Sequence, residues 1–272
     1  MTINCLGTLI DLSTPKVMGI LNVTPNSFYD GGFYTDEKRI LNHVEKMIHE
    51  GATFIDIGAY SSKPNAAFVS QEEELSRLLP IIDLVLNHFP KALLSVDTFR
   101  SHVAEQAIAH GACIINDISA GCLDHSMLQT IAQLQVPYIM MHMKGTPQNM
   151  QSLAQYNNVT KEVLFFFSER IATARSLGIN DIIVDPGFGF AKTVTHNFEV
   201  LKNLDLFQML DLPILIGLSR KSMIYKTLDT TPEFALNGTT VLQTIAIQKG
   251  ANILRVHDVK EAIETIKLVS QL

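Results

Sequence analysis

The chain has 272 residues, 47% of them hydrophobic, with 21 Lys and Arg against 27 Asp and Glu, a net charge of −6. That length is close to the ~250 residues of one α/β barrel and supplies ample apolar material for a large core. The acidic balance excludes a basic footprint for nucleic acid or an anionic membrane surface, and no apolar run approaches the ~18 residues of a membrane span, so any phosphate recognition must be local and no membrane partner is expected.

In chain order, residues 3–5 and 8–12 flank Leu6-Gly7 and predict a small β-hairpin. Residues 17–21 form the first apolar run and end on Asn22. A loop over 22–35, rich in Gly, Pro and Asn, precedes a helix marked by Ile40, Leu41, Val44, Met47 and Ile48 and stopped by Gly51. The second run, 53–57, ends on Gly58. A polar loop over 59–69 follows, and Ser70-Gln71-Glu72-Glu73 has the form of a capping box opening a helix with Leu75, Leu78, Leu79 and Ile82 inside. Runs at 93–96, 114–115 and 138–141 end on Asp97, Asn116 and His142. Their helices carry Val103, Ala107 and Ile108, then Met127, Leu128, Ile131 and Leu134, then Val163, Phe166, Phe167 and Ile171. The last runs are 182–184 before Asp185, 214–216 before Gly217 and Ser219, and 253–256 around Arg255 and His257. A helix with Val259, Ile263, Ile266 and Val269 closes the chain.

Eight strand-like runs separated mostly by helical patterns predict a (β/α)8 TIM barrel with the N-terminal hairpin at its bottom, one domain over 1–272. Chemistry in that fold sits where strands meet the following loops, and nearly every run ends on a polar residue there. The loops after strands one, two and five are far longer than the ~2–6 residues usual in α/β units, and loops of that length are usually functional. Cys5, Cys113 and Cys122 form neither a CxxC pair nor an even disulfide set, which points to a reducing, cytoplasmic compartment.

Several clusters carry specific chemistry. Arg255 and His257 stand at i and i+2, so both side chains leave the same side of a strand and suit an anion such as a phosphate. The alternative is an ion pair between Arg255 and a carboxylate such as Asp56. Ser219-Arg220-Lys221-Ser222 follows a buried strand and opens a helix, gathering a hydroxyl, an ammonium and backbone amides. Asp97, Asn116 and Asp185, at the ends of strands three, four and six, offer acceptors and an amide, as the edge of a flat heterocycle with amino and carbonyl groups requires. The run Asp185-Pro186-Gly187-Phe188-Gly189-Phe190-Ala191-Lys192-Thr193 fails the GxxxxGK[ST] template, with Pro186 and Ala191 where glycines belong. His43, His49, His88, His102 and His110 are scattered along helical segments, a pattern of solvated or helix-packed side chains rather than of a metal site.

The motifs Gly19-Ile20-Leu21-Asn22-Val23-Thr24-Pro25, Asp30-Gly31-Gly32, Val96-Asp97-Thr98, Ile115-Asn116-Asp117-Ile118, Met141-His142-Met143-Lys144-Gly145-Thr146-Pro147, Asp185-Pro186-Gly187, Ser219-Arg220-Lys221-Ser222 and Arg255-Val256-His257 together resemble the ordered signatures of the dihydropteroate synthase family. They run from the first strand to the last.

The resemblance implies that 6-hydroxymethyl-7,8-dihydropterin diphosphate is joined to p-aminobenzoate, releasing pyrophosphate and making 7,8-dihydropteroate for folate synthesis. It implies that Asp97, Asn116, Asp185 and Lys221 hold the pterin ring, with Lys221, Asp97, Asp185 and Arg255 the residues of the reaction. The diphosphate falls to Asn22, Ser62, Lys63, Arg255 and His257, with Mg2+ at Asn22. The p-aminobenzoate, and sulfonamide inhibitors in its place, falls to Phe28, Pro64, Phe190, Lys221 and Ser222. A homodimer is expected by the same analogy, and the apolar segment 240–247 is compatible with one.

Departures from the family pattern concentrate in the first two loops. Gly58-Ala59-Tyr60-Ser61-Ser62-Lys63-Pro64-Asn65 stands where the family more often has Gly-Gly-Glu-Ser-Thr-Arg-Pro-Gly, and Asn26 stands where it usually carries Asp. Lys63 supplies charge but not arginine's planar two-point contact, which predicts altered p-aminobenzoate or sulfonamide affinity rather than lost chemistry. Two rivals are a barrel passing a methyl group from methyltetrahydrofolate to a corrinoid protein, and a non-catalytic pterin-binding barrel. The first gives no reason for Arg255, His257 and the 219–221 cluster together. Lys221 and Asn22 argue against the second.

Overall fold

A computed structural model of the chain describes residues 1–23, 33–60 and 69–272, with the backbone alone at 33–36. Strands β1 (Thr2–Cys5) and β2 (Thr8–Asp11) pair antiparallel, Cys5 facing Thr8. Leu6 and Gly7 between them have φ of 49° and 88°, the positive values that a two-residue turn matched to strand twist demands.

Eight parallel strands follow: β3 (Lys16–Asn22), β4 (Phe54–Gly58), β5 (Leu93–Asp97), β6 (Ile114–Asp117), β7 (Tyr138–Met141), β8 (Ile182–Asp185), β9 (Leu215–Ile216) and β10 (Ile253–Val256). They are hydrogen-bonded in the order β8-β7-β6-β5-β4-β3-β10-β9. The remaining seam is joined by one parallel bridge, Val184 to Ile214, where Val184 N–H donates to the Pro213 carbonyl at 2.9 Å. The result is a nearly closed (β/α)8 barrel.

Around it run α1 (Phe33–His49), α2 (Gln71–His88), α3 (Ser101–Ala109), α4 (Met127–Leu134), α5 (Val159–Ser176), α6 (Val194–Lys202), α7 (Ser222–Tyr225), α8 (Leu236–Gln248) and α9 (Val259–Val269). Ser70 caps α2 by accepting from Glu73 N–H at 3.2 Å, while the Glu73 carboxylate is taken by Arg77. The segment 240–247 lies within α8. Among the described residues no helix is long and apolar enough to cross a membrane.

Alternation along each strand sorts the side chains. Outward positions such as Val17, Leu21, Ile55, Ile57, Leu94, Val96, Ile115 and Val184 join the helices in the larger core. Inward positions near the strand starts, Met18, Phe54, Ile114, Ile139, Ile183, Leu215 and Ile253, form a second cluster with Ile3, Cys5 and Leu12 of the hairpin region. The hairpin therefore plugs the bottom of the barrel. Moving two or four residues along the same strands gives Asn22, Asp56, Ser95, Asp97, Asn116, Asp185, Arg255 and His257. One barrel thus carries an apolar floor and a polar upper interior, the upper end being the face where barrel enzymes keep their chemistry.

Candidate active site

Asp56, at the centre of β4, is fully buried, and its Oδ2 accepts from Arg255 Nε at 2.6 Å and from Asn116 Nδ2 at 3.1 Å. The same guanidinium donates from Nη2 to Asp97 Oδ2 at 2.9 Å. Arg255 therefore does form the ion pair with Asp56, and a second one with Asp97. Nη1 makes no hydrogen bond among the described residues. Burial pushes the Asp97 carboxyl up to about 7, and the Arg255 charge only partly offsets it. The nearby Asp56 Oδ1 and Ser95 Oγ, on residues paired across β4 and β5, are buried without a hydrogen-bond partner among the described residues.

Across the barrel mouth, Asp185 accepts from Gly187 N–H through Oδ1 at 2.8 Å. Lys221 reaches the same area from the chain after β9. Its Nζ donates to the Phe188 carbonyl and sits 4.9 Å from the centre of the Phe190 ring. A Cβ added at Gly217 would lie 3.7 Å from Lys221 Nζ and 3.9 Å from Asp185 Oδ2, ordinary contact distances that put both charged groups beside this residue. Burial draws the Lys221 ammonium down to about 8, opposed by Asp185, and burial raises the Asp185 carboxyl, opposed by Lys221. Asp97 and Arg255 act electrostatically on Lys221 as well.

Ser219 Oγ and His257 Nδ1 are 2.9 Å apart, and His257 N–H donates to the same oxygen at 3.2 Å. The Ser219 oxygen, with two lone pairs and one hydrogen, donates to Nδ1 in one ring tautomer and accepts from it in the other. Although an edge of His257 is exposed, desolvation around its ring and the Arg255 charge hold it neutral, down to about 4.

Asn22 stands exposed at the end of β3. A Cβ at Gly58 would be 3.7 Å from Asn22 Oδ1 and 3.8 Å from Asp97 Oδ2, so the two oxygens flank one strand end. Among the described residues no three His, Cys, Asp or Glu groups form a metal cage. A hard cation such as Mg2+ takes few protein oxygens, keeps several waters and shares itself with substrate phosphates, and the Asn22 amide oxygen is a donor of the hard type it takes.

Ile118, Met141, Met143, Met150 and Ala191 pack together with Phe99, Leu123 and Phe190, an apolar wall beside the polar groups. Of the residues expected from sequence, Asp97, Asn116, Asp185, Lys221, Phe190, Arg255, His257 and Asn22 occupy the upper end of the barrel. Ser222 opens α7, a single helical turn. Phe28, Ser62, Lys63 and Pro64, with Asn26 and Asn65, lie outside the described residues.

Arg220 is turned away from its neighbour Lys221. Its backbone has φ 54°, and its guanidinium binds Asp258 at 2.8 Å twice and the Pro232 and Glu233 carbonyls. It braces the loop and leaves Lys221 alone at the mouth. Sequence reasoning treated Asp56 only as an ion-pair partner and passed over Asp117. The buried Asp117 carboxylate accepts from Ser119 N–H, Ser119 Oγ, Gly121 N–H and Tyr138 Oη, fixing the turn after β6. Both stand in inward or strand-end register with residues already singled out, a signal that was available.

The mouth of this parallel barrel sets carboxylates and an amide beside two cations, over an apolar wall, at the end where barrel enzymes keep their chemistry. Residues 18–257 match the pterin binding enzyme family. The chain is 43% identical over 265 residues to the dihydropteroate synthase of Escherichia coli K12, covering 97% of this chain and 93% of that protein. It superposes with a TM-score of 0.92 on the Yersinia pestis dihydropteroate synthase in a sulfonamide drug complex, at 40% identity and covering 100% and 98% of the two chains. The Xanthomonas albilineans dihydropteroate synthase with 4-aminobenzoic acid gives the same TM-score at 38% identity, over 99% and 97%. The chain belongs to the dihydropteroate synthase family, among the pterin binding enzymes.

Proposed function

We propose that this protein condenses 6-hydroxymethyl-7,8-dihydropterin diphosphate with p-aminobenzoate to give 7,8-dihydropteroate and pyrophosphate, a transferase step of folate synthesis. The observation that carries the reading is the gathering of Asp97, Asn116, Asp185, Lys221 and Arg255 at one mouth of the barrel. The three strand-end side chains hold the pterin edge, and Lys221 serves its carbonyl and ring-nitrogen side. Arg255 Nη1, His257 Nε2 and Asn22 take the diphosphate, joined by Ser62 and Lys63. Phe190, the stem of Lys221, Phe28 and Pro64 enclose p-aminobenzoate, with its carboxylate near Ser222.

The C–O bond to diphosphate breaks first, leaving positive charge on the pterin methylene and negative charge on the leaving group. Asp97 and Asp185 favour the electron-poor ring, while Arg255 and His257 favour the departing anion. The neutral aromatic amine then attacks the methylene and loses a proton. It is already a nucleophile, so its positioning matters more than a strong base. Asn22 would hold Mg2+ together with the diphosphate, and the charge the metal brings would neutralise the leaving group. The three free thiols support a reducing, cytoplasmic setting; on α8 Leu242, Ile245 and Ile247 pack on the barrel core, and the half-exposed Val241 is the apolar surface open to a second copy.

The test is pyrophosphate release by the purified protein. Release that requires both p-aminobenzoate and Mg2+, and that a sulfonamide suppresses competitively, is expected. No release with both substrates and the metal present overturns the reading.

A further inference from the structure

Lys192 is a buried cation that the reaction above does not use. It is 3% exposed, and its Nζ donates to His142 Nδ1 at 2.9 Å, to the Gly187 carbonyl at 3.0 Å and to the Phe190 carbonyl at 3.2 Å. Three acceptors consume the three donors of an ammonium. His142, itself 2% exposed, is kept neutral by burial and by the Lys192 charge, so its Nδ1 is an acceptor, and its ring is wedged edge-on against Phe166 at 4.9 Å. The acceptors come from two places only: the end of β7 and the loop between β8 and α6. That loop carries the Phe188 carbonyl and the Phe190 ring on which the Lys221 ammonium rests.

The geometry of the loop depends on such a clamp. Gly187 and Gly189 have φ of 73° and 83°, and Ala191 has 47° although it carries a Cβ. Three left-handed residues in five leave the segment without a repeating ladder of its own. Asn197 adds bonds to Gly189 N–H at 2.7 Å and to the Lys192 carbonyl at 3.4 Å. The loop is thus shaped from within by side chains behind it.

We propose that Lys192 is a positioning residue: by tying the 187–190 backbone to His142 it sets the carbonyl and aromatic ring that aim Lys221 into the ring pocket. The assignment rests on Lys221 being a pterin-binding group. Burial draws the Lys192 ammonium down to about 7, and Asp185 opposes that shift.

The test is a double-mutant cycle read by calorimetry with pteroic acid, in wild type, Lys192→Met, Lys221→Met and the double variant, with thermal unfolding followed in parallel. Lys192→Met should weaken binding about tenfold, and adding it to Lys221→Met should change the affinity by less than about threefold, because both act through one group. Lys192→Gln keeps two donors, should lose less, and replaces the methionine variant if that fails to fold. A lowered melting temperature with wild-type affinity, or losses that multiply in the double variant, overturns the proposal. Wild-type protein that binds no pteroic acid overturns the pterin reading instead, a separate result.

Discussion

The Arg255 guanidinium lies 2.9 Å from the Asp97 carboxylate and 2.6 Å from that of Asp56, so one side chain at the end of β10 neutralises acids on β4 and β5. Two nitrogens of this guanidinium therefore serve the acids, and Nη1 makes no hydrogen bond among the described residues. Arg255→Met strands the fully buried Asp56 and should cost about 3–5 kcal/mol in denaturant unfolding, the usual penalty for breaking a buried pair. Arg255→Lys keeps a charge but cannot reach two acids, and should recover part of that stability while remaining more than about tenfold down in kcat/KM.

The pH dependence follows from Asp97, pushed up to about 7. If the ionised carboxylate is the form that favours the ring, kcat/KM should rise with pH through about 7, and Asp97→Asn should remove that limb. Stability runs the other way. The unfolded carboxyl releases its proton near ~3.9 and the folded one near 7, so the native state holds the extra proton between them and loses stability as pH rises across that window. Melting temperatures over that range should fall more steeply for wild type than for Asp97→Asn.

His257 should report directly on the leaving group. Its imidazole is held down to about 4 without ligand, and a diphosphate at Nε2 favours the charged form. A proton NMR titration should find its pKa raised by pyrophosphate with Mg2+. His257→Ala should raise KM for the pterin diphosphate, read by steady-state kinetics, and should abolish that titration shift.

Gly187 offers a purely steric test. An added Cβ would meet the His142 carbonyl oxygen at 2.1 Å, on a residue with φ 73°. Gly187→Ala should lower stability by more than about 1 kcal/mol and weaken pterin affinity, because the contact is backbone and cannot swing aside.

Lys63 and Asn26 lie outside the described residues, and their prediction comes from sequence. Steady-state kinetics of Lys63→Arg and Asn26→Asp should show changed p-aminobenzoate or sulfonamide affinity with the chemistry retained; unaltered parameters for both ligands refute it.

The barrel was legible because buried parallel strands read as short apolar runs, and their polar endings broke a pattern that burial alone would have continued. Asp97, Asn116 and Asp185 stood out for that reason. Asp56 was harder to see, since it sits inside a run and its meaning depends on Arg255, 199 residues away. Residues 194–202 gave no apolar stripe strong enough to name a helix, yet Thr193 and His196 cap α6 reciprocally. Lys192 looked like a failed nucleotide loop in the sequence. Its inward direction is set by left-handed turns at Gly187, Gly189 and Ala191, and a one-dimensional pattern does not encode direction. Arg220 and Lys221, adjacent in sequence, point to different tasks for the same reason.

The cylinder of strands is fastened unevenly. β3 and β4 are laced by five residue pairs, whereas the join between β8 and β9 rests on the single rung from Val184 to Ile214. Asp185 follows one end of that rung and Lys221 rises beyond the other, so a ring clasped by both would act as a rivet across the weakest stave of the cask. Substrate would then complete the wall that holds it.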